Sequence, residues 1–349
     1  MPEDKNNYNK KTPLSELGEF KLIDHITKNI SIHNSSTIKG VGDDAAVIKY
    51  NNKSTLVSCD MLVENVHFDL IYCPLKHLGY KAAIVNFSDI YAMNGHPKQI
   101  VVGIALSNKF TVESVEEIYE GFIMACNKYG VDFVGGDTTT SPQGLIISVT
   151  VIGEAEEDKI VYRKGAKPYD LICVSGDLGA AYAGLLVLKR EQQTFIANPN
   201  HQPDLNPYNY IVERQLKPEA RKDTIEQLNK NKIIPTSMID ISDGLASELL
   251  HISKNSNVGF KIFEDKIPFD TQTLDTAEEF AITPLTFALN GGEDYELLFT
   301  ADIKHHDLLK NMQNVHIIGH IVSDVNEKDL ISNSGLAIDI KAQGWDSFN

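Results

Sequence analysis

Apolar positions along the chain change period, and the changes mark out elements. In "SELGEFKLIDHITKNI", Leu17, Phe20, Ile23, Ile26 and Ile30 recur at helical spacing. "AAVIKY" and "STLVSC" read as strands parted by the turn-forming "NNK". Pro74 opens a helical pattern that runs through Met93, "KQIVVGIALS" reads as a strand, and "TVESVEEIYEGFIMACNKYG" reads as a helix closed by Gly130. "VDFV" and "GLIISVTVIG" are further strands. After the acidic "EAEEDK" the pattern restarts with a strand, "DLICVSG", and a helix, "AAYAGLLVLKR". A domain boundary is therefore expected near residue 157, giving a lead over residues 1–17, an N-terminal domain over 18–157 and a C-terminal domain over 158–349.

The Asn- and Pro-rich "ANPNHQPDLNPYNY" reads as a surface excursion. Beyond it the pattern predicts a helix from Glu219 to Asn231, the strand "SMIDI", the helix "GLASELLHISKN", and closing strands in "ELLFT" and "VHIIGHIV". Strands come in adjacent pairs before each helix, which favours an α+β fold with mixed or antiparallel sheets over a doubly wound parallel one. "STLVSC" and "KQIVVGIALS" carry apolar residues on both faces, more burial than one small domain usually offers.

Length and charge narrow the reading. The chain has 349 residues, enough for two cores. Its 32 basic and 48 acidic residues give a formal charge of −16, which argues against nucleic acid and anionic membrane surfaces as partners. No run of eighteen apolar residues appears, and the polar start "MPEDKNNYNKKTP" is unlike a secretion signal. Cys59, Cys73, Cys126 and Cys173 form no C-x-x-C pair, as expected of reduced thiols in the cytoplasm.

The acidic residues recur in one grammar: apolar residues, then a carboxylate flanked by Gly or Ser. "GVGDDAAVI", "VSCDMLVENVHF", "NFSDIYAM", "VGGDTTTS", "IDISDGLAS" and "NGGEDYELLF" all follow it. By pattern, Asp60 ends an apolar strand, Asp89 lies within the helix opened by Pro74, Asp137 stands in a Gly-Gly turn, and Asp240 and Asp243 stand between a strand and a helix. Any one of these reads as a helix cap or turn former; six together weigh against that. Carboxylates that converged without cations would repel one another, so a shared site implies bound metal, and hard oxygen donors point to Mg²⁺ rather than Zn²⁺. His67, Cys73 and His77 could pass for a zinc set, but amphipathic spacing around Pro74 accounts for most of it. The glycines of "SGDLGAAYAGL" could cradle a phosphate, although a tight turn and close helix packing explain their loose spacing better. The chain contains neither a G-x-x-x-x-G-K-[ST] loop nor the H-R-D and D-F-G motifs of protein kinases.

Taken in order, "GVGDDAAVI", "VSCDMLVENVHF", "YKAAIVNFSDIYAMNGHP", "FVGGDTTT", "YRKGAKPYD", "IDISDGLASEL", "GGEDYELLFT" and "GWDSF" resemble the thiamine-monophosphate kinase family, within the ATP-binding superfamily of aminoimidazole ribonucleotide synthetase. The resemblance covers residues 18 to 348. It implies a two-domain α+β fold of the aminoimidazole ribonucleotide synthetase type, an N-terminal domain that dimerises through its sheet, and an active site in the cleft between the domains. It also implies direct in-line transfer of the γ-phosphoryl group of ATP to thiamine monophosphate, giving thiamine diphosphate.

Carried over by motif, Asp44, Ser58, Cys59, Asp60, Asp89, Asp137, Asp240 and Asp243 would surround several Mg²⁺ ions, with K⁺ a further candidate. Asp44, Asp60, Asp89 and Asp240 would hold the metals for transfer, and no side chain would act as a nucleophile. Asp43 would shape its turn. Tyr129, Gly136, Asp137, Arg163 and Ser242 would contact ATP, and His67, Glu293 and Trp345 the thiamine phosphate. Cys59 stands where a threonine or similar residue is common, so its metal contact would come from the backbone carbonyl. Residues 191–209 read as an insertion relative to the family pattern.

Overall fold

The computed structural model describes Leu22 and residues 25–39, 47–48, 54–200 and 202–341. Asp43, Asp44 and Trp345, and most of the helix expected over residues 15–30, lie outside the described residues; Leu22 and residues 25–27 are helical. The chain divides into two compact units. One comprises Met1–Asn51, Cys59–Ala83 and Lys98–Ile152; the other comprises Asn52–Ser58, Ile84–Pro97 and Gly153–Asn349.

The N-terminal elements are β1 (Thr37–Lys39), β2 (Val47–Ile48), β3 (Ser54–Val63), α1 (Leu75–Ala92), β4 (His96–Leu106), α2 (Val112–Tyr129), β5 (Asp132–Thr140) and β6 (Ile146–Ala155). A four-stranded sheet runs β3-β6-β4-β5. α2 forms because Val115, Ile118, Tyr119, Phe122, Ala125 and Cys126 align on one buried face. Thr111 caps its start by accepting from the Ser114 N–H, and Gly130 closes it in the left-handed conformation.

Two sequence expectations are corrected here. Asp60 lies inside β3, which continues to Val63. Asp137 lies within β5 rather than in a turn after it. The parallel β4–β5 ladder shifts register between Ile100 and Val101, so the Gly-Gly pair takes up a bulge instead of ending the strand. A Cβ on Gly136 would lie 1.9 Å from the Val102 carbonyl oxygen, which is why no side chain fits there.

The approach to β1 is fixed by a buried carboxylate. Asp132, 0% exposed, accepts from the His33 and Asn34 N–H groups and from the Thr37 hydroxyl. Asn34 Nδ2 donates to the Gly130 carbonyl at 2.9 Å, and the Gln99 amide donates to Thr37 Oγ1 at 3.1 Å. Asp132→Ala would strand three donors. It should cost about 3 kcal/mol, read as a lowered urea midpoint with an unchanged slope; a shift below about 0.5 kcal/mol would show that the donors find other partners.

The remaining elements are β7 (Leu171–Ser175), α3 (Ala180–Ala197), α4 (Asn209–Leu216), α5 (Lys222–Lys230), β8 (Ser237–Asp240), α6 (Leu245–Ser256), β9 (Gly259–Phe263), α7 (Thr271–Glu279), α8 (Pro284–Asn290), β10 (Leu297–Ala301), α9 (His306–Lys310), β11 (Val315–Val322), β12 (Lys328–Ile331) and β13 (Ala337–Asp339). Seven strands pair in the order β13-β12-β9-β11-β7-β10-β8. The sheet is mixed: β12 runs parallel to β9, and the other five pairings in it are antiparallel. Every residue of β7, β8 and β10 is buried, although β8 ends the sheet. Ile172, Val174, Ile239, Leu249, Phe260 and Leu298 belong to the core between the sheet and α6.

Candidate active site

The seven-stranded sheet brings the ends of β7 and β8 and the start of β10 to one edge, since Asp240 pairs with Leu297 and Val174 with Leu298. Asp240 is the last residue of β8 and is 4% exposed. Ser88 Oγ donates to its Oδ2 at 2.6 Å. The next residue on α1, Asp89, accepts from the Ser58 hydroxyl of β3. One turn of one helix thus joins Ser58, Asp89 and Asp240. Burial raises the Asp89 carboxyl above its ordinary range, against the lowering effects of the Ser58 hydroxyl and the Arg163 charge. Burial likewise raises Asp243, which His251 and Arg163 oppose.

The loop after β8 is held by a group that the sequence reading did not single out. Glu248, buried on the first turn of α6, accepts from the N–H groups of Ser242 at 3.0 Å and Asp243 at 2.8 Å, so its side chain fixes the direction of that turn. Burial pushes its carboxyl up to about 7, opposed by the backbone N–H of Asp243. On the other side of the loop, the Glu293 N–H donates to the Ser242 carbonyl at 2.7 Å and the Tyr295 N–H donates to the Ile241 carbonyl at 2.9 Å. Glu293 and Tyr295 both adopt left-handed backbone conformations, with φ of 58° and 52°.

Beside this lies a buried ion network. Glu296 receives Arg221 Nε at 2.5 Å, a second Arg221 N–H, Arg214 Nη2 at 3.0 Å and Ser175 Oγ at 2.5 Å. Despite burial, the two guanidinium groups hold its carboxyl below the usual range. Among the glycines considered for phosphate binding, Gly176 serves this network, while Gly179 and Gly184 allow close packing against Phe287 and Ile211. Gly176, at φ 54°, leaves room for the Glu296 carboxylate, which a Cβ would meet at 2.3 Å. The start of α3 is already occupied by Asp294, which accepts from the Gly179 N–H at 2.7 Å and the Ala181 N–H at 3.2 Å. A cleft of about 540 Å³ opens next to the network, lined by Asp177, Tyr210, Arg214 and His316 among others. Gly176, one of the glycines considered for phosphate, lines it, but none of the candidate metal, ATP or acceptor residues does.

Along β3 the strand alternation sorts the expected ligands. Ser58 and Asp60 share the face of β3 that also carries buried Leu56 and Leu62, whereas Cys59 points with Val57 and Met61 to the exposed face. Its thiol lies 3.6 Å from the Ser148 hydroxyl. A Cys59 contribution to a site on the Asp60 side would therefore use its carbonyl. Asp137 and Gly136 lie on the exposed part of β5, and buried Tyr129 ends α2. His67 is exposed in the segment after β3, and its Nδ1 accepts from the Val63 N–H at 3.0 Å. Arg163 is exposed between β6 and β7. Among the described residues, no three His, Cys, Asp or Glu side chains are grouped as a metal site.

The comparisons fit this picture. A family model described as AIR synthase related protein, N-terminal domain, matches residues 42–155. The hydrogenase maturation protein HypE has the same fold, with a TM-score of 0.72 at 16% identity over 93% of this chain and 98% of that one. The first marks residues 42–155 as similar to an AIR synthase-related N-terminal domain, and the second shows the fold.

Thiamine-monophosphate kinase from Bacillus subtilis is 33% identical over 338 residues, covering 95% of this chain and all of that protein. The Aquifex aeolicus enzyme of the same name is 36% identical over 82% of this chain and 87% of its own. A solved structure described as AaThiL complexed with AMPPCP and TMP aligns with a TM-score of 0.74 and 32% identity, covering 96% of this chain and 98% of that one. This chain belongs to the thiamine-monophosphate kinase family.

Proposed function

We propose that the chain phosphorylates thiamine monophosphate with ATP in the cytoplasm. A bond forms between a phosphate oxygen of the acceptor and the γ-phosphorus. The bond from that phosphorus to the bridging oxygen breaks, and ADP leaves with thiamine diphosphate as the other product. The observation that carries this reading is identity at the 33% level along the whole of a thiamine-monophosphate kinase, with every acidic motif in order.

The acidic residues fit divalent metal in their chemistry. Their donors are oxygens, and burial alone raises Asp89 and Asp243, so added positive charge would be favoured there. Mg²⁺ would be held by Asp44, Asp60, Asp89, Asp137, Asp240 and Asp243, with Ser58 and the Cys59 carbonyl completing the set. When bound, it supplies charge neutralisation between two anionic phosphates. Tyr129, Gly136, Asp137, Arg163 and Ser242 bind ATP; His67, Glu293 and Trp345 bind the acceptor. The acceptor phosphate oxygen is already nucleophilic, so the residues orient it rather than deprotonate it. Glu248 orients the Ser242–Asp243 turn.

We place the domain boundary near residue 157 and assign the active form as a homodimer joined through the sheet that contains β3, where Val57 is 64% and Met61 56% exposed. Purified protein with ATP, Mg²⁺ and thiamine monophosphate should yield thiamine diphosphate and ADP in equal amounts on chromatography. ATP consumption without thiamine diphosphate would overturn the assignment.

A further inference from the structure

Glu293, close to the β8–β10 edge, accepts from a neutral side chain of α4. Gln215, on the last turn of α4 and 4% exposed, donates its amide Nε2 to Glu293 Oε2 at 2.7 Å. The preceding residue, Arg214, donates to the main-chain carbonyls of Asp294 at 3.2 Å and Asp177 at 3.3 Å, which fixes the end of α4 against the segment that carries Glu293. The Glu293 backbone is fixed independently through Ser242. Both ends of the Gln215–Glu293 bond are therefore anchored, and its geometry is set by the fold.

The identity of the partner matters chemically. Glu296, nearby in sequence, is neutralised by two guanidinium groups. An amide orients a carboxylate but leaves its negative charge in place. A charged, oriented carboxylate suits an acceptor that carries a cationic ring and amino-group donors better than a simple phosphomonoester.

We propose that Gln215 is a positioning residue that sets acceptor selectivity by holding the Glu293 carboxylate in one orientation for the acceptor. This rests on the assignment of Glu293 to the acceptor site. Q215M removes the donor and keeps the volume. It should raise the KM for thiamine monophosphate roughly tenfold, leave the KM for ATP within about twofold, and shift Tm little. E293Q should raise the same KM at least as much, and the double variant should be no worse than E293Q alone, because the two changes remove one interaction.

If Q215M fails to fold, Q215E replaces the donor by an acceptor in the same shape and gives the same reading. An unchanged acceptor KM in the Gln215 variant, with a raised one in E293Q, would overturn the role of Gln215 alone. An unchanged KM in E293Q would overturn the Glu293 assignment and this inference with it. Equal weakening toward both substrates would show that Gln215 serves only packing.

Discussion

Asp240→Asn should abolish turnover and leave the protein folded. Asp240 ends β8, buried, and receives the Ser88 hydroxyl at 2.6 Å. Asparagine keeps the shape, and its amide oxygen can accept the same hydroxyl, so the local hydrogen bonding survives. The change removes one negative charge from the group proposed to hold the metals. Loss of a single preorganised electrostatic contact at a phosphoryl-transfer site costs about 10²–10³-fold in kcat, and a metal ligand should reach the upper end. Steady-state kinetics at saturating ATP and thiamine monophosphate, with a thermal melt on the same sample, would check it. Turnover within about threefold of wild type would remove Asp240 from the site.

Glu296→Ala should produce the largest loss of stability. The carboxylate is fully buried and is the shared partner of Arg214 and Arg221. Its removal leaves two guanidinium groups facing each other, Arg214 deeply buried, with their desolvation uncompensated. Breaking such a network by deleting one member costs about 3–5 kcal/mol. Urea unfolding should show a much lower midpoint, and a loss under about 1 kcal/mol would mean that Asp177 and Asp294 suffice to hold Arg214. The network also explains why Gly176 stands after β7: a methyl group there would collide with the carboxylate it adjoins.

Much of the fold was legible because its signals are local. Pro74 and Gly130 marked helix ends close to those of α1 and α2, and "VHIIGHIV" coincides with β11. Asp137 was misplaced because a Gly-Gly pair is a turn signal in isolation, whereas here pairing with β4 absorbs it as a bulge. The sequence reading ends the strand at Asp60 because a carboxylate interrupts the apolar run there, although β3 continues through Met61, Leu62 and Val63.

The site divides along the same line. The carboxylates could be found from their Gly- and Ser-flanked motifs. Their supports could not, since Ser88 meets Asp240 across 152 positions and Gln215 meets Glu293 across 78. Glu248, six positions from Ser242, has a signal in reach: an acidic residue in the first turn of a helix, behind a half-buried Ser-Asp pair.

The left-handed backbone at Glu293 and Tyr295 carries a lesson for anyone seeking a hardier variant. Side chains bearing a Cβ resist that conformation by about 1 kcal/mol relative to glycine, and asparagine tolerates it better than glutamate. A screen scored on heat resistance alone would therefore favour Gly or Asn at position 293, and would discard the one side chain there that the proposed acceptor contact requires. Durability and selectivity compete at a single residue, so the sequence tolerated by the fold is broader at this point than the sequence tolerated by the chemistry.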